Sequence, residues 1–145
     1  MDTSDINVII RPLKKTDVNA ALILTGRLIT PEEMATLNPG DPEALCFVAE
    51  AEGKVVGFNL ARELYVGIPM SKICVIQGII VDDDYRRLGI GEKLIEAVCE
   101  YCTSCGVEAI RTLVDENDTR LRRFVEHIGF RRSSVANYDK TISTD

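Results

Sequence analysis

The chain has 145 residues, with 46% apolar residues, 28% charged residues and a formal net charge of −6 at pH 7. This length suits one domain over residues 1–145 with a real core, and no apolar run approaches the roughly 20 residues of a membrane span. The acidic start at residues 1–5 is unlike a signal peptide and the negative charge argues against general nucleic-acid binding, so we expect a cytoplasmic protein without membrane or nucleic-acid partners.

The first part of the chain predicts one strand and two helices. The strand is expected at residues 8–11, before Pro12, and the first helix runs from a cap at Thr16 or Asp17 to about residue 29. Residues 30–33 read Thr-Pro-Glu-Glu, which combines a capping threonine, a proline at the first helical position and a glutamate at the capping-box position. A second helix is therefore predicted to begin there.

A breaker-rich loop at residues 38–42 leads into three predicted strands. Residues 45–51 and 54–63 alternate around Glu-Gly and predict a hairpin. Residues 73–81 are almost continuously apolar, which indicates a strand buried on both faces. Gly78 within this strand predicts a bulge or a ligand close to the backbone.

The most informative segment follows this strand and reads Arg-Arg-Leu-Gly-Ile-Gly at residues 86–91. An amphipathic helix begins near Gly91, so the segment joins a strand to a helix N-terminus. Gly89 and Gly91 allow a ligand to approach the main chain, while the helix start adds unpaired N–H groups and the positive end of its dipole. The loop therefore predicts a phosphate or pyrophosphate site, although it lacks the Lys-Ser/Thr ending of a P-loop and the third glycine of a dinucleotide fingerprint.

Three of the five cysteines, Cys99, Cys102 and Cys105, lie within this helix with a spacing similar to that of iron–sulfur ligands. The helical period places Cys102 and Cys105 on the apolar stripe, which predicts small buried hydrophobes. Cys46 and Cys74 fall in predicted strands and are expected in the core. We therefore predict no metal site and a reducing environment, with an iron–sulfur or redox protein as the competing interpretation.

The downstream part predicts a strand at residues 109–114, a polar break containing Asn117, and a further helix. The apolar positions of that helix recur with a helical period and are Leu121, Phe124, Val125 and Ile128. Gly129 is the candidate C-cap residue. Two closing strands are predicted at residues 130–134 and 136–142.

The pattern Arg-x-x-Gly-x-Gly after Val-Asp-x-x-Tyr resembles the acetyl-CoA motif of the GCN5-related N-acetyltransferases, the GNAT family. Asn117, the helix after it and Gly129-Phe130 match a second motif of that family, and the resemblance covers about residues 8–142. The residue pattern alone supports an α+β or mixed α/β domain. The resemblance implies a GNAT-like fold, with a central mixed, mostly antiparallel sheet flanked by about four helices.

The resemblance also implies that acetyl-CoA is the acyl-donor cosubstrate. Its pantetheine arm would pair with the end of the predicted central strand, its pyrophosphate would lie on the glycine loop, and Asn117 would contact it near the arm. The implied cofactor site consists of Ile79, Ile80, Val81, Arg86, Arg87, Leu88, Gly89, Ile90, Gly91 and Asn117. Arg120 and Arg123 are weaker candidates for its 3′-phosphate, because a solvated helix face explains them as well.

Catalytic residues stay unassigned in the sequence. Val125 occupies the position where the family often has a tyrosine that protonates the thiolate, and the spacing from Asn117 to Gly129 is one residue longer than usual. Candidates for the acid, the base or a water-orienting group are Tyr138, Gln77, Glu50, Glu52 and Glu63, whereas His127 is expected on the surface.

The resemblance implies an N-acetyltransferase that acts on a primary amine of a small molecule or protein. The alternative is a non-catalytic acyl-CoA-binding or regulatory module on the same fold. The sequence is compatible with a homodimer.

Overall fold

The computed structural model describes residues 6–26, 28–36 and 45–143, in which five strands and four α-helices are present. The strands are β1 (Val8–Pro12), β2 (Phe47–Ala51), β3 (Lys54–Val66), β4 (Ser71–Val81) and β5 (Ala109–Thr112). The helices are α1 (Val18–Leu24), α2 (Pro31–Ala35), α3 (Ile90–Ser104) and α4 (Thr119–His127). The chain forms two compact units, a first unit that ends at Leu113 and a second unit that begins at Val114.

The five strands form one mixed sheet in the order β1-β2-β3-β4-β5. The first four are joined by antiparallel pairings, and β5 runs parallel to β4. The predicted mixed, mostly antiparallel sheet is therefore confirmed, as is the hairpin that turns at Glu52 and Gly53. The glycine adopts φ +78°, a left-handed conformation that suits its lack of a Cβ.

The two early helices are present, but α1 is shorter than predicted. It ends at Leu24 rather than near residue 29, because Gly26 adopts φ +63° and leaves the helical conformation. The capping box of α2 is confirmed: the main-chain N–H of Glu33 donates to Thr30 Oγ1 at 3.1 Å, and Thr30 N–H donates to Glu33 Oε1 at 3.3 Å. The predicted loop at residues 38–42 lies outside the described residues.

The core of the first unit contains two apolar clusters. One includes Met34, Val48 and Phe58 together with half-buried residues of α1. The other joins β2 and β3 to the start of α3 through Ala49, Val56, Tyr85, Ile90 and Leu94. Its position places the loop before α3 directly on the buried part of the sheet.

The second unit contains α4 but no strand among residues 114–143. The predicted strands at residues 130–134 and 136–142 are therefore wrong. Their alternating apolar side chains stay in solvent, since Val135, Tyr138 and Ile142 are 64 to 93% exposed. Alternation predicts a strand only where a partner edge takes up its main-chain groups and one face is buried.

Among the described residues, none of the helices combines the length and apolar character needed to cross a bilayer.

Candidate functional site

The carboxyl-terminal half of β4 has one edge that β5 leaves open. β4 pairs with β3 as far as Val81, whereas its pairing with β5 ends at Ile76 opposite Thr112. Just beyond β4, Asp82 N–H donates to the carbonyl of Val56 at 2.7 Å. Main-chain groups therefore face β3 at residues 80 and 82 and face the other way at residues 79 and 81, because strand residues alternate.

Because of this alternation, the main-chain groups of the three strand residues predicted to bind the cofactor do not all face the same way. Ile79 and Val81 present their N–H and C=O groups at the open edge, while Ile80 uses its main chain to pair with Phe58 of β3. The carbonyl of Ile80 also lies 3.1 Å from the position that a Cβ on Gly57 would occupy, which agrees with its direction toward β3. Two of the three residues are thus available to a ligand through their main chain.

The predicted irregularity at Gly78 is a β-bulge. Leu60 pairs with Gly78 and Ala61 with Ile76, so Gln77 has no partner on β3. A Cβ on Gly78 would meet no heavy atom within 4 Å, which leaves the space beside this position open. Gln77 is exposed, and its suggested role in orienting a water stays a prediction.

The glycine loop between β4 and α3 presents a run of main-chain donors. Arg87 and Gly89 adopt φ +72° and +70°, and the first hydrogen bond of α3 runs from Lys93 N–H to the carbonyl of Gly89 at 3.0 Å. The N–H groups from Arg87 to Glu92 find no acceptor among the described residues. Such donors, next to the positive end of the α3 dipole, form an arrangement that binds anions.

The two arginines of this loop differ in availability. Arg86 Nη2 lies 2.7 Å from Asp83 Oδ1, and its main-chain N–H donates to the carbonyl of Asp83 at 3.4 Å. Arg87 makes no ion pair or side-chain hydrogen bond among the described residues and is exposed. Of the predicted pair, Arg87 is therefore the guanidinium without a competing carboxylate among the described residues, whereas Arg86 would first have to leave an exposed and hence weak ion pair.

The second unit holds the remaining predicted cofactor residue. Asn117 is exposed in the turn before α4, and its main-chain N–H donates to Asp115 Oδ1 at 2.8 Å. The helix itself is capped by Asp118, whose Oδ1 accepts from Leu121 N–H at 3.1 Å. The role of Asn117 in cofactor binding stays a prediction.

The candidate carboxylates are already engaged. Glu50 Oε2 accepts from Arg11 Nε at 3.0 Å, and Glu63 Oε2 lies 3.2 Å from Lys72 Nζ. Glu52 Oε2 accepts from the hydroxyl of Tyr85 at 2.5 Å. Glu63 differs from the other two in that its second oxygen, Oε1, is buried and has no hydrogen-bond partner among the described residues. This observation does not place Glu63 beside a substrate, so the catalytic acid and base stay unassigned.

Cys102 is buried on the apolar face of α3, as predicted, and Cys99 is half-buried. The predicted burial of Cys105 is wrong: it is half-buried, because α3 ends at Ser104 and Cys105 is the residue that follows its last turn. The predicted core positions of Cys46 and Cys74 are confirmed as well. Burial raises the pKa of the thiols of Cys46, Cys74, Cys99 and Cys102, which disfavours the reactive thiolate. Among the described residues, no three His, Cys, Asp or Glu side chains are arranged to hold a metal ion.

Sequence reasoning missed the contact between Tyr85 and Glu52. Tyr85 was visible as the tyrosine of Val-Asp-x-x-Tyr, but its partner lies 33 residues earlier, in the turn between β2 and β3. Separations of that size carry no local signal in a single sequence. Only the folding of α3 onto the sheet brings the loop to this turn.

The chain is similar to members of a known protein family. The model of the Acetyltransferase (GNAT) family matches residues 22–130 of the chain. A probable N-acetyltransferase, camello, of Xenopus tropicalis is 33% identical over 64% of this chain and 42% of its own length. The aminoglycoside N(6′)-acetyltransferase type 1 of Salmonella typhimurium is 30% identical over 58% of this chain and 60% of its own length. The match thus spans about half the length of these curated relatives.

Solved structures share the fold at low sequence identity. An aminoglycoside N-acetyltransferase in complex with CoA has a TM-score of 0.81 at 19% identity, with 94% of this chain and 95% of that chain covered. Glucosamine-6-phosphate N-acetyltransferase from Arabidopsis thaliana has a TM-score of 0.74 at 20% identity, with 92% and 98% covered.

Proposed function

The chain belongs to the Acetyltransferase (GNAT) family, and from this premise we propose that it transfers the acetyl group of acetyl-CoA to a primary amine. The observation that carries the proposal is the run of main-chain N–H groups from Arg87 to Glu92, which follows, after one short turn, a strand with an open edge. The two features suit the two halves of one ligand, a pyrophosphate and an amide-containing arm.

In this proposal, the pyrophosphate is held by the main chain of the glycine loop, with the guanidinium of Arg87 as a charge-assisted donor. The pantetheine arm pairs with the open edge of β4 at Ile79 and Val81. The printed name of one structural neighbour records a complex with CoA, which supports the choice of ligand. Asn117 is proposed to contact the cofactor near the arm, on the strength of the family motif.

The chemistry requires few side chains. A neutral amine attacks the thioester carbonyl, and main-chain donors at the end of β4 stabilise the charge that develops on its oxygen. The C–S bond then breaks as the amide forms, and the proton lost by the nitrogen passes to solvent or to the departing thiolate. The departing group is a thiolate. Because an ordinary thiol has a pKa of about 8.5, its thiolate is stable enough to leave with little assistance from an acid. This explains how the site could work although Val125 stands at the family's tyrosine position.

Replacing Gly89 by glutamate tests the site. Gly89→Glu places a carboxylate beside the proposed pyrophosphate position, and we expect calorimetry to detect no CoA binding. Gly106→Glu is the matched control, because Gly106 also adopts a left-handed conformation (φ +72°) with open space around it, at the other end of α3. Both variants carry the same backbone strain and the same charge, so a loss confined to Gly89→Glu identifies the loop. Wild-type affinity in a folded Gly89→Glu variant would contradict the proposal.

The competing function is an acyl-CoA-binding or regulatory module without catalysis. An assay of CoA release from acetyl-CoA with a panel of amines separates the two. The panel should include aminoglycosides and an amino sugar phosphate, because relatives and neighbours are named for these acceptors, together with peptides bearing a free N-terminus or lysine. CoA binding without turnover on any acceptor would favour the module.

We further propose that residues 1–145 act as one N-acetyltransferase domain in the cytoplasm. The family match extends across both compact units, and all five cysteines are free thiols, which persist in a reducing compartment. A homodimer stays a prediction, which light scattering on the purified protein would test.

A further inference from the structure

Tyr85 is the buried residue of the 3₁₀ turn Asp83–Tyr85, which lies between β4 and the glycine loop. Its side chain points into the protein and is only 5% exposed. The hydroxyl donates a hydrogen bond of 2.5 Å to Glu52 Oε2, in the turn between β2 and β3. The loop is thus tied to a turn that is distant in sequence.

The surroundings favour this hydrogen bond. The ring packs in the apolar cluster of β2, β3 and α3, and Lys54 Nζ lies 5.1 Å from the ring centroid. The hydrogen bond to Glu52 raises the pKa of Tyr85, whose hydroxyl is protonated at physiological pH even at its ordinary pKa. Glu52 itself adopts φ +53°, a conformation that is uncommon for a residue other than glycine.

The whole connection from Asp82 to the start of α3, which contains the glycine loop, needs such an anchor near its centre. Its start is held by the hydrogen bond from Asp82 to Val56, and its end by the first turn of α3. Between them, Arg87 and Gly89 both adopt left-handed conformations, which aim the free N–H groups. Leu88 packs against the same apolar cluster, and Tyr85, two residues before Arg87, adds a directional hydrogen bond to Glu52 that can fix this geometry.

We propose that Tyr85 is a positioning residue for acetyl-CoA: through its hydrogen bond to Glu52 it holds the N–H groups from Arg87 to Glu92 in the geometry that receives the pyrophosphate. This inference rests on the proposed function. It assigns no chemical step to Tyr85, which acts through the loop backbone and does not touch the reacting atoms.

The test compares Tyr85→Phe with Tyr65→Phe, a matched control at an exposed tyrosine of β3. Tyr85→Phe keeps the packed ring and removes only the hydroxyl. We expect its Kd for CoA to rise by about threefold to tenfold, the range for loss of one ordinary hydrogen bond, because the acceptor Glu52 is exposed. We expect the KM for the amine, measured at saturating acetyl-CoA, to stay at the wild-type value. A merely structural role would lower the melting temperature without changing the Kd of the folded protein.

Substitutions of Glu52, the hydrogen-bond partner of Tyr85, test the same proposal independently. Glu52→Met removes the acceptor and should weaken CoA binding as much as Tyr85→Phe, whereas Glu52→Gln keeps an acceptor oxygen and should retain most of the affinity. The double variant Tyr85→Phe/Glu52→Met should bind no worse than either single variant, because one hydrogen bond is lost in all three. If Tyr85→Phe fails to fold, the comparison of Glu52→Met with Glu52→Gln carries the test.

A Tyr85→Phe variant that binds CoA within about twofold of wild type would overturn the inference. An equal loss in Tyr65→Phe, or additive losses in the double variant, would overturn it as well. Failure of the wild-type protein to bind CoA would instead overturn the proposed function, so the two failures are distinguishable.

Discussion

Helices α3 and α4 have the same kind of apolar periodicity in the sequence but very different environments. α3, in the first unit, buries Ile90, Leu94, Ile95, Val98 and Cys102. α4, in the second unit, has no buried residue, and the apolar positions predicted to share one face are only half-buried. Periodicity therefore predicts which side of a helix is apolar, while the extent of burial depends on the surface that the helix packs against.

Ion pairs differ between the two units in the same way. Arg11 binds Asp17 in the first unit through two hydrogen bonds of 2.8 and 2.9 Å, with side chains that are 23% and 8% exposed. Arg132 pairs with Glu116 in the second unit, with side chains that are 79% and 75% exposed. Removing one partner of the largely buried pair should thus destabilise the protein, whereas removing one partner of the exposed pair should cost little.

The largest effect is expected from truncating a buried leucine of α3. Leu94 is completely buried, and Leu94→Ala should lower the free energy of unfolding by about 2–5 kcal/mol through lost burial and a cavity. Leu121→Ala on half-buried α4 should cost about 1 kcal/mol or less. Urea denaturation of both variants measures the difference. Equal losses of stability would contradict the conclusion that α3 is more deeply buried than α4.

The second prediction asks whether the second unit affects catalysis despite its low burial. If the acid position is vacant, Val125→Tyr should raise turnover by up to about a hundredfold, the lower end of general-acid effects. Tyr138 is 93% exposed, so Tyr138→Phe should leave the rate unchanged. Steady-state kinetics on an identified acceptor measures both. A rate loss in Tyr138→Phe without a gain in Val125→Tyr would instead identify Tyr138 as the donor.

The third prediction compares the ion pairs. Asp17→Asn should lower the free energy of unfolding by about 1–3 kcal/mol, because it weakens a largely buried, charge-assisted pair and leaves Arg11 with Glu50 as its remaining carboxylate partner. Glu116→Gln, at the exposed pair, should cost about 0–1 kcal/mol. Equal effects of the two substitutions in urea denaturation would contradict the assignment.

The pair of Arg11 and Asp17 also predicts that the free energy of unfolding depends on pH. The hydrogen bonds from Arg11 hold the pKa of Asp17 below its ordinary value. A lowered pKa in the folded state means that this stabilisation is fully present above the unfolded pKa of about 3.9 and is lost as the pH falls through the lower, folded pKa. Urea denaturation between pH 7 and pH 3 should show a steeper loss for wild type than for Asp17→Asn, and parallel curves would count against the pair.

The smallest effect is expected from Cys102→Ala, which removes one small buried group of α3. We expect a loss of about 1–2 kcal/mol in the free energy of unfolding and unchanged CoA binding. Metal analysis of anaerobically purified protein is the control. Stoichiometric iron or zinc that disappears in Cys102→Ala would overturn the structural role of this cysteine.

Much of the first unit was predictable because its signals are local. The capping box of α2, the Glu-Gly hairpin turn and the glycines that end α1 and begin α3 act within a few residues of one another. The strands at residues 130–134 and 136–142 were wrong for the opposite reason: a strand needs a partner edge, and alternation at Val135 and Tyr138 says nothing about whether one exists. The length of α1 was overestimated because Gly26 was read as part of an apolar helix.

By itself, the sequence determined the family, the order of the elements before residue 114, and the glycine loop at residues 86–91 between a strand and a helix start, because glycine spacing and helix starts act within one short segment. The role of this loop as a phosphate site stays a prediction. Only the tertiary structure decided which main-chain groups are available. Strand pairing turns Ile80 toward β3 and leaves Ile79 and Val81 at the open edge, and an ion pair to Asp83 engages Arg86 but not Arg87. It also joined Tyr85 to Glu52, since a hydrogen bond across 33 residues forms only after the sheet and α3 have packed together.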